Sequence, residues 1–184
     1  MSLTRTLALV VGTLSLVAGL AACGDTESDV ANETTSTQPI EISYHPCDEL
    51  PPDVMAGFGL DLSKAYREER MGPVSFNCII AHRAPRYGAG FYAMGQTFDD
   101  VVADERLVEK ERLTVAGHTT SLADFTSGFS CMATIDIAPE VLQVSVDYTE
   151  RESLSGEWLS TVDQACAEAK KIVNALGPYL PERL

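Results

Sequence analysis

The sequence predicts an α+β domain: a mostly antiparallel β-sheet with packed helices, cross-linked by two disulfides. Three observations carry this prediction. Several segments alternate apolar and polar residues with period two, beginning with Val74-Ser75-Phe76-Asn77-Cys78, the pattern of half-buried strands. A late segment, Gly156 to Leu176, repeats its apolar residues at helical spacing, the pattern of a helix with one face on a core. Four cysteines, Cys47, Cys78, Cys131 and Cys166, fall on the apolar phase of these patterns.

The N-terminus comes first in chain order and belongs to no core. MSLTR carries Arg5, the only charge ahead of Cys23, and an uncharged apolar run ends in Ala21 and Ala22. A charged start, an apolar middle and small residues at the end make a secretory signal. The 17 residues from Thr6 to Ala22 fall short of the ~20 that cross a bilayer, so residues 1–22 read as a removable signal. Leu20-Ala21-Ala22-Cys23 is similar to the lipobox of bacterial lipoproteins, which implies that Cys23 is acylated, with palmitate among its chains, and anchors the protein in the membrane. Two or more chains give stable attachment, each buried CH₂ contributing ~0.8 kcal/mol.

After the cysteine the composition turns acidic. Gly24 to His45 holds Asp25, Glu27, Asp29, Glu33 and Glu41, no Lys or Arg, and almost no large apolar residue before Ile40. Such a stretch cannot bury enough surface to offset its ordering entropy, so residues 23–45 are expected to be a lipid anchor and disordered tether. Residues 46–184 remain, the size of one ordinary domain. The chain carries a formal charge of −14, and the domain has 12 basic against 22 acidic side chains. Nucleic acid needs a basic footprint, which is missing.

Within the domain, Cys47, Leu50, Val54 and Phe58 share a helical spacing that Pro51 and Pro52 split into a turn and a short helix. Val74 to His82 reads as a strand pairing with Gly90 to Gln96 across the connection Arg83 to Ala89. Thr97 is placed to cap a helix beginning Phe98-Asp99-Asp100, with acids in its first turn. Glu111 to Val115 and Thr119 to Ala123 read as strands around Ala116-Gly117-His118. Phe129 to Ile137 and Val141 to Thr149 read as a hairpin turning at Ala138-Pro139-Glu140. In the last helix Trp158, Leu159, Val162, Ala165, Cys166, Ala169, Ile172, Val173 and Leu176 form the apolar stripe, and Gly177-Pro178 stops it. The order is helix, two strands, helix, four strands, helix.

Four cysteines in an exported domain imply two disulfides with three possible connectivities. Two lie on strands and two on helices, all facing inward, which suggests helix-to-strand staples. Joining neighbours in sequence pairs Cys47 with Cys78 and Cys131 with Cys166. A metal site is disfavoured, because no CxxC or CxxH spacing occurs.

HPCDEL, SFNCII, GFSCMATIDI, VLQVSVDY and DQACAEAKKIVNAL, behind the lipobox and tether, resemble a family of actinobacterial lipoproteins classed as a domain of unknown function. The resemblance spans nearly the whole chain, and the four-cysteine arrangement is its most specific part. It implies the same two disulfides and a fold similar to the PsbP-like α/β/α sandwich. The chain departs from the family pattern at His45, where an acidic residue is commoner, and two positions after Cys78, where an aromatic is usual. The family brings no catalytic residues.

Chemical motifs are sparse. His45, His82 and His118 lack metal-binding spacing. GFSCM lacks the second glycine of a nucleophile elbow, and GAGFYAMG lacks the third glycine and following helix of a dinucleotide site. No cofactor is expected. One stretch, HRAPRYGAGFY, sets Arg83, Arg86, Tyr87 and Tyr92 together in an otherwise acidic domain. Arginine beside exposed aromatics can anchor an anionic ligand, a glycan or a partner protein; alternatively the arginines solvate a hairpin end and the aromatics pack inward. The expected function is a non-enzymatic binding or accessory module, displayed outside the cell membrane on its lipid anchor and taking an envelope protein or small molecule. A cell-wall hydrolase and a lipid or small-molecule carrier are the alternatives.

Overall fold

The computed structural model describes residues 41–151 and 157–184. The signal segment, Cys23 and the tether up to residue 40 lie outside the described residues, as does Gly156. The described chain forms a seven-stranded sheet in the order β1-β2-β3-β7-β6-β5-β4, every neighbouring pair antiparallel. Its strands are β1 (Tyr66–Met71), β2 (Val74–Arg83), β3 (Arg86–Met94), β4 (Leu107–Val115), β5 (His118–Phe125), β6 (Ser130–Ile137) and β7 (Glu140–Asp147). The first three form one meander and the last four another. Helix α3 (Phe98–Val102) carries the chain from β3 to the far edge, so β7 returns to pair with β3.

Turn chemistry sets the hairpins. Ala116 and Gly117 both have positive φ between the paired residues Val115 and His118, the geometry that matches strand twist in a two-residue hairpin. Phe129 also has positive φ, which takes it off β6. Its ring is exposed, edge-on to Tyr148, instead of continuing the inward phase of Cys131.

One face of the sheet holds the core. Cys78, Phe91, Val144, Ala133 and Leu122 are successive cross-strand partners, all buried. Against this face lie α1 (Pro46–Glu49), α2 (Pro52–Gly57) and α4 (Val162–Leu176). Alanines at 165 and 169 and the larger Ile172, Val173 and Leu176 turn inward from α4; the small residues let the helix approach the sheet. Thr161 caps it by accepting from Gln164 N–H, so the helix starts at Val162 and Trp158 and Leu159 precede it. Disulfides Cys47–Cys78 and Cys131–Cys166 each staple a helix to this face. His45 caps α1, its Nδ1 accepting from Cys47 N–H, which is the service an acidic residue there would perform. Ile42, Tyr44 and His45 are buried, so packing begins ahead of Pro46 and takes in residues assigned to the tether.

The opposite face is polar. Glu68, Asn77, Tyr92, Gln143, Thr134, Ser121 and Arg112 are successive partners across all seven strands. Asn77 donates to Glu68, Gln143 to Thr134 and Ser121 to Glu109, at 2.9–3.0 Å. Among the described residues the one helix here is α3, whose Phe98 and Val101 pack on Val141. The third layer of an α/β/α sandwich is therefore a single five-residue helix. No helix of the described residues is long and apolar enough to cross a membrane.

Candidate functional site

The β2–β3 hairpin ends with Arg83 facing Arg86 across a two-residue turn. Beside it opens a cleft of about 600 Å³ where four parts of the chain meet. Asp61 and Lys64 come from the segment after α2, and His82, Arg83, Arg86, Tyr87 and Gly88 from the hairpin. Asp147 comes from the end of β7 and Trp158 from the segment before α4.

Backbone pairing places the indole. Arg86 N–H donates to Glu157 O at 2.6 Å and Leu159 N–H to Arg86 O at 3.4 Å, a short parallel bridge between Arg86 and Trp158. This pairing takes the place beside β3 that β7 leaves when it ends at Asp147. His82 Nδ1 lies 2.6 Å from Pro85 O; a carbonyl only accepts, so Nδ1 carries the proton and donates. The imidazole stacks on Tyr87 at 4.4 Å, and its Nε2 faces Gly59. A Cβ at Gly59 would approach Nε2 to 2.9 Å, and its φ of +69° favours glycine besides.

The two carboxylates differ. Asp61 is bound by Lys64 and Ser63, and those hydrogen bonds, Lys64 first, push it down to about 2. Asp147 lies against Gly88, where a Cβ would overlap its carboxylate. Its Oδ1 accepts from Ser130 Oγ at 2.8 Å, but burial dominates and raises its pKa. The folded state thus holds this proton more tightly than the unfolded chain does. The resulting stabilisation is present below the ordinary carboxylate pKa and is lost as pH rises through the raised value. Asp147→Asn should accordingly gain stability relative to the parent as pH rises, when both are unfolded in urea between about pH 4 and 8. A parent-to-variant difference independent of pH would contradict this assignment.

The structure brings Arg83, Arg86 and Tyr87 to one cleft and places Tyr92 apart from them. Tyr87 is buried, lines the cleft, and donates to Glu168 of α4 at 3.4 Å. Its hydroxyl is pushed up, first by burial and then by Glu168. Tyr92 lies on the polar sheet face, its hydroxyl 3.4 Å from Ser145 Oγ. Period two puts the two tyrosines on different faces from each other, since five positions separate them. Asp61, Lys64, Asp147 and Trp158 were not legible as site residues; a lone signal existed in Trp158, the single tryptophan of the chain. Among the described residues no three His, Cys, Asp or Glu side chains converge as a metal site.

Fold and cleft together define a small, disulfide-stapled α+β domain with a mixed-charge cleft at one end of its sheet. The chain belongs to the family described as Protein of unknown function (DUF3558), whose pattern matches residues 18–179. No curated protein and no solved structure matches it.

Proposed function

We propose that this protein is an extracytoplasmic binding module, tethered to the outer face of the membrane through lipid on Cys23, whose ligand site is the cleft at the β2–β3 hairpin. The observation that carries this reading is the convergence, from four separate segments, of arginine, aromatic and carboxylate side chains around one cavity of about 600 Å³. Small-molecule sites run to about 300–1,000 Å³ and combine apolar walls with a few fixed polar groups. The two disulfides support residence in an oxidising compartment.

The carrier reading is less well supported, because a lipid needs an apolar lumen and this cleft is rimmed by Arg83, Arg86, Lys64 and Asp61. Hydrolysis has one observation on its side: Asp61 and Asp147 line the same cleft with oppositely shifted pKa values, as acid–base pairs do. Asp61, however, is held by Lys64 and Ser63, which favours a structural part for it.

Two experiments test the proposal. Ala81 is exposed and lines the cleft, so Ala81→Phe should fill it without disturbing the core. Compounds that raise the melting temperature of the parent should fail to do so with Ala81→Phe; equal shifts in both would overturn the cleft as the site. Cys23→Ala should release the protein from membranes or leave it at precursor size in fractionation. Mature-sized mutant in the membrane fraction would overturn the anchor.

A further inference from the structure

The cleft's rim holds a pair of like charges that the fold leaves largely uncompensated. Arg83 and Arg86 are direct cross-strand partners, and like charges placed directly opposite one another destabilise an antiparallel pair. Both side chains are exposed. Arg86 approaches Glu157 only to 3.9 Å, and among the described residues Arg83 makes no ion pair within that reach. Of the cleft's carboxylates, Asp61 is paired with Lys64, and among the described residues Asp147 makes no ion pair with either arginine. In a domain where acids outnumber bases, two adjacent arginines without firm partners form a seat for an anion, which guanidinium groups bind with paired N–H donors.

An inorganic anion would use only that rim. The rest of the cleft offers a different chemistry. Trp158 stands next to Arg86 through the backbone bridge, and the stacked His82 and Tyr87 rings form part of the same wall. Asp147 lines the same cleft and keeps an oxygen beyond the one bound to Ser130, an acceptor for a hydroxyl group. A flat apolar surface beside hydroxyl acceptors and a cationic seat fits one kind of small molecule. A sugar ring lays its C–H face on an indole, its hydroxyls donate to carboxylates, and an acidic substituent reaches the arginines.

Resting on the reading of the cleft as the ligand site, we infer that its ligand is a saccharide bearing an anionic group, carboxylate or phosphate. Trp158 supplies the stacking face, Arg83 and Arg86 bind the anion, and Asp147 accepts from a ring hydroxyl. The ligand's negative charge also relieves the repulsion between the two arginines, so specificity for acidic over neutral sugars is built into the hairpin.

Trp158 is the single tryptophan of the chain, so intrinsic fluorescence of the full-length protein in detergent reports on this cleft directly. Titration with a glucuronate-containing disaccharide and with glucose 6-phosphate separates the carboxylate and phosphate sources. A neutral disaccharide, acetate and inorganic phosphate serve as controls. At least one of the acidic sugars should change the fluorescence saturably, and the controls should bind tenfold or more weakly. Arg83→Ala with Arg86→Ala should weaken the acidic sugar by about tenfold or more, as loss of charge-assisted hydrogen bonds does. The same variant should leave the melting temperature of the ligand-free protein unchanged or slightly raised. Equal binding of neutral and acidic sugars, or of free anions and acidic sugars, would overturn the ligand class. So would silence of both acidic sugars. If library compounds still lose their effect in Ala81→Phe, the cleft survives as a site for another ligand; if none does, the site itself falls.

Discussion

Replacing Cys166 with serine should lower the stability of the domain by about 3–4 kcal/mol, the loop-entropy value for a closure of this length, and release α4 to protease. The bond to Cys131 spans a sequence separation of 35, and it joins the C-terminal helix to β6, near the middle of the sheet. Because total stability is only ~5–15 kcal/mol in domains of this class, one such loss is a large share. The melting temperature should fall by roughly 10 °C. Cys131 is fully buried while Cys166 is half-buried. The serine hydroxyl can therefore meet water, and the buried lone thiol is the lesser cost. Cys131→Ala with Cys166→Ala removes that thiol as well. Single and double variants should melt close together, both well below the parent. A single variant melting within about 2 °C of the parent would show that packing of Ala165, Ala169, Ile172, Val173 and Leu176 holds α4 without the cross-link.

The second large effect is expected at Phe91. Its side chain is fully buried, and on the core face its cross-strand partners are Cys78 on β2 and Val144 on β7. It thus lies where the two meanders join, under a disulfide on one side and the central strand on the other. Truncating a buried phenylalanine costs about 3–5 kcal/mol through lost transfer energy and the cavity left behind. Phe91→Ala should therefore destabilise about as much as loss of a disulfide, measured by urea unfolding. Phe91→Leu, which keeps most of the volume, should recover most of the loss. A cost below about 1 kcal/mol for the alanine variant would mean the neighbouring side chains collapse into the space, against the close packing of a core.

Much of the fold can be read residue by residue. The alternation of Phe76, Cys78 and Ile80, of Cys131, Ala133 and Ile135, and of Leu142, Val144 and Val146 marks strands that do face one core. The stripe from Ala165 to Leu176 marks the helix upon it. Two parts were hidden. Strand β1 reads Tyr-Arg-Glu-Glu-Arg-Met, and β4 begins before the expected Glu111, at Leu107. Both are edge strands with mostly exposed side chains, and an edge strand rich in charge resists pairing with other chains at the cost of its hydrophobic signal. β3 extends back to Arg86 because Gly88, which looks like a loop residue, is needed where Asp147 crowds the strand.

The antiparallel sheet and the buried helix stripe were determined by the sequence alone, because period and side-chain polarity are properties of neighbours along the chain. The cysteine pattern left three connectivities open, and the fold realises the one that joins neighbours in sequence. The arginine pair was also local, a consequence of the hairpin that sets Arg83 opposite Arg86. The cleft was decided only in three dimensions. β7 had to return between β3 and β6 to bring Asp147 to Gly88, and the segment before α4 had to replace β7 beside Arg86 to bring in Trp158. Those partners lie some 60 to 70 residues from the hairpin in sequence, and strand order, which no local pattern encodes, is what closed the distance.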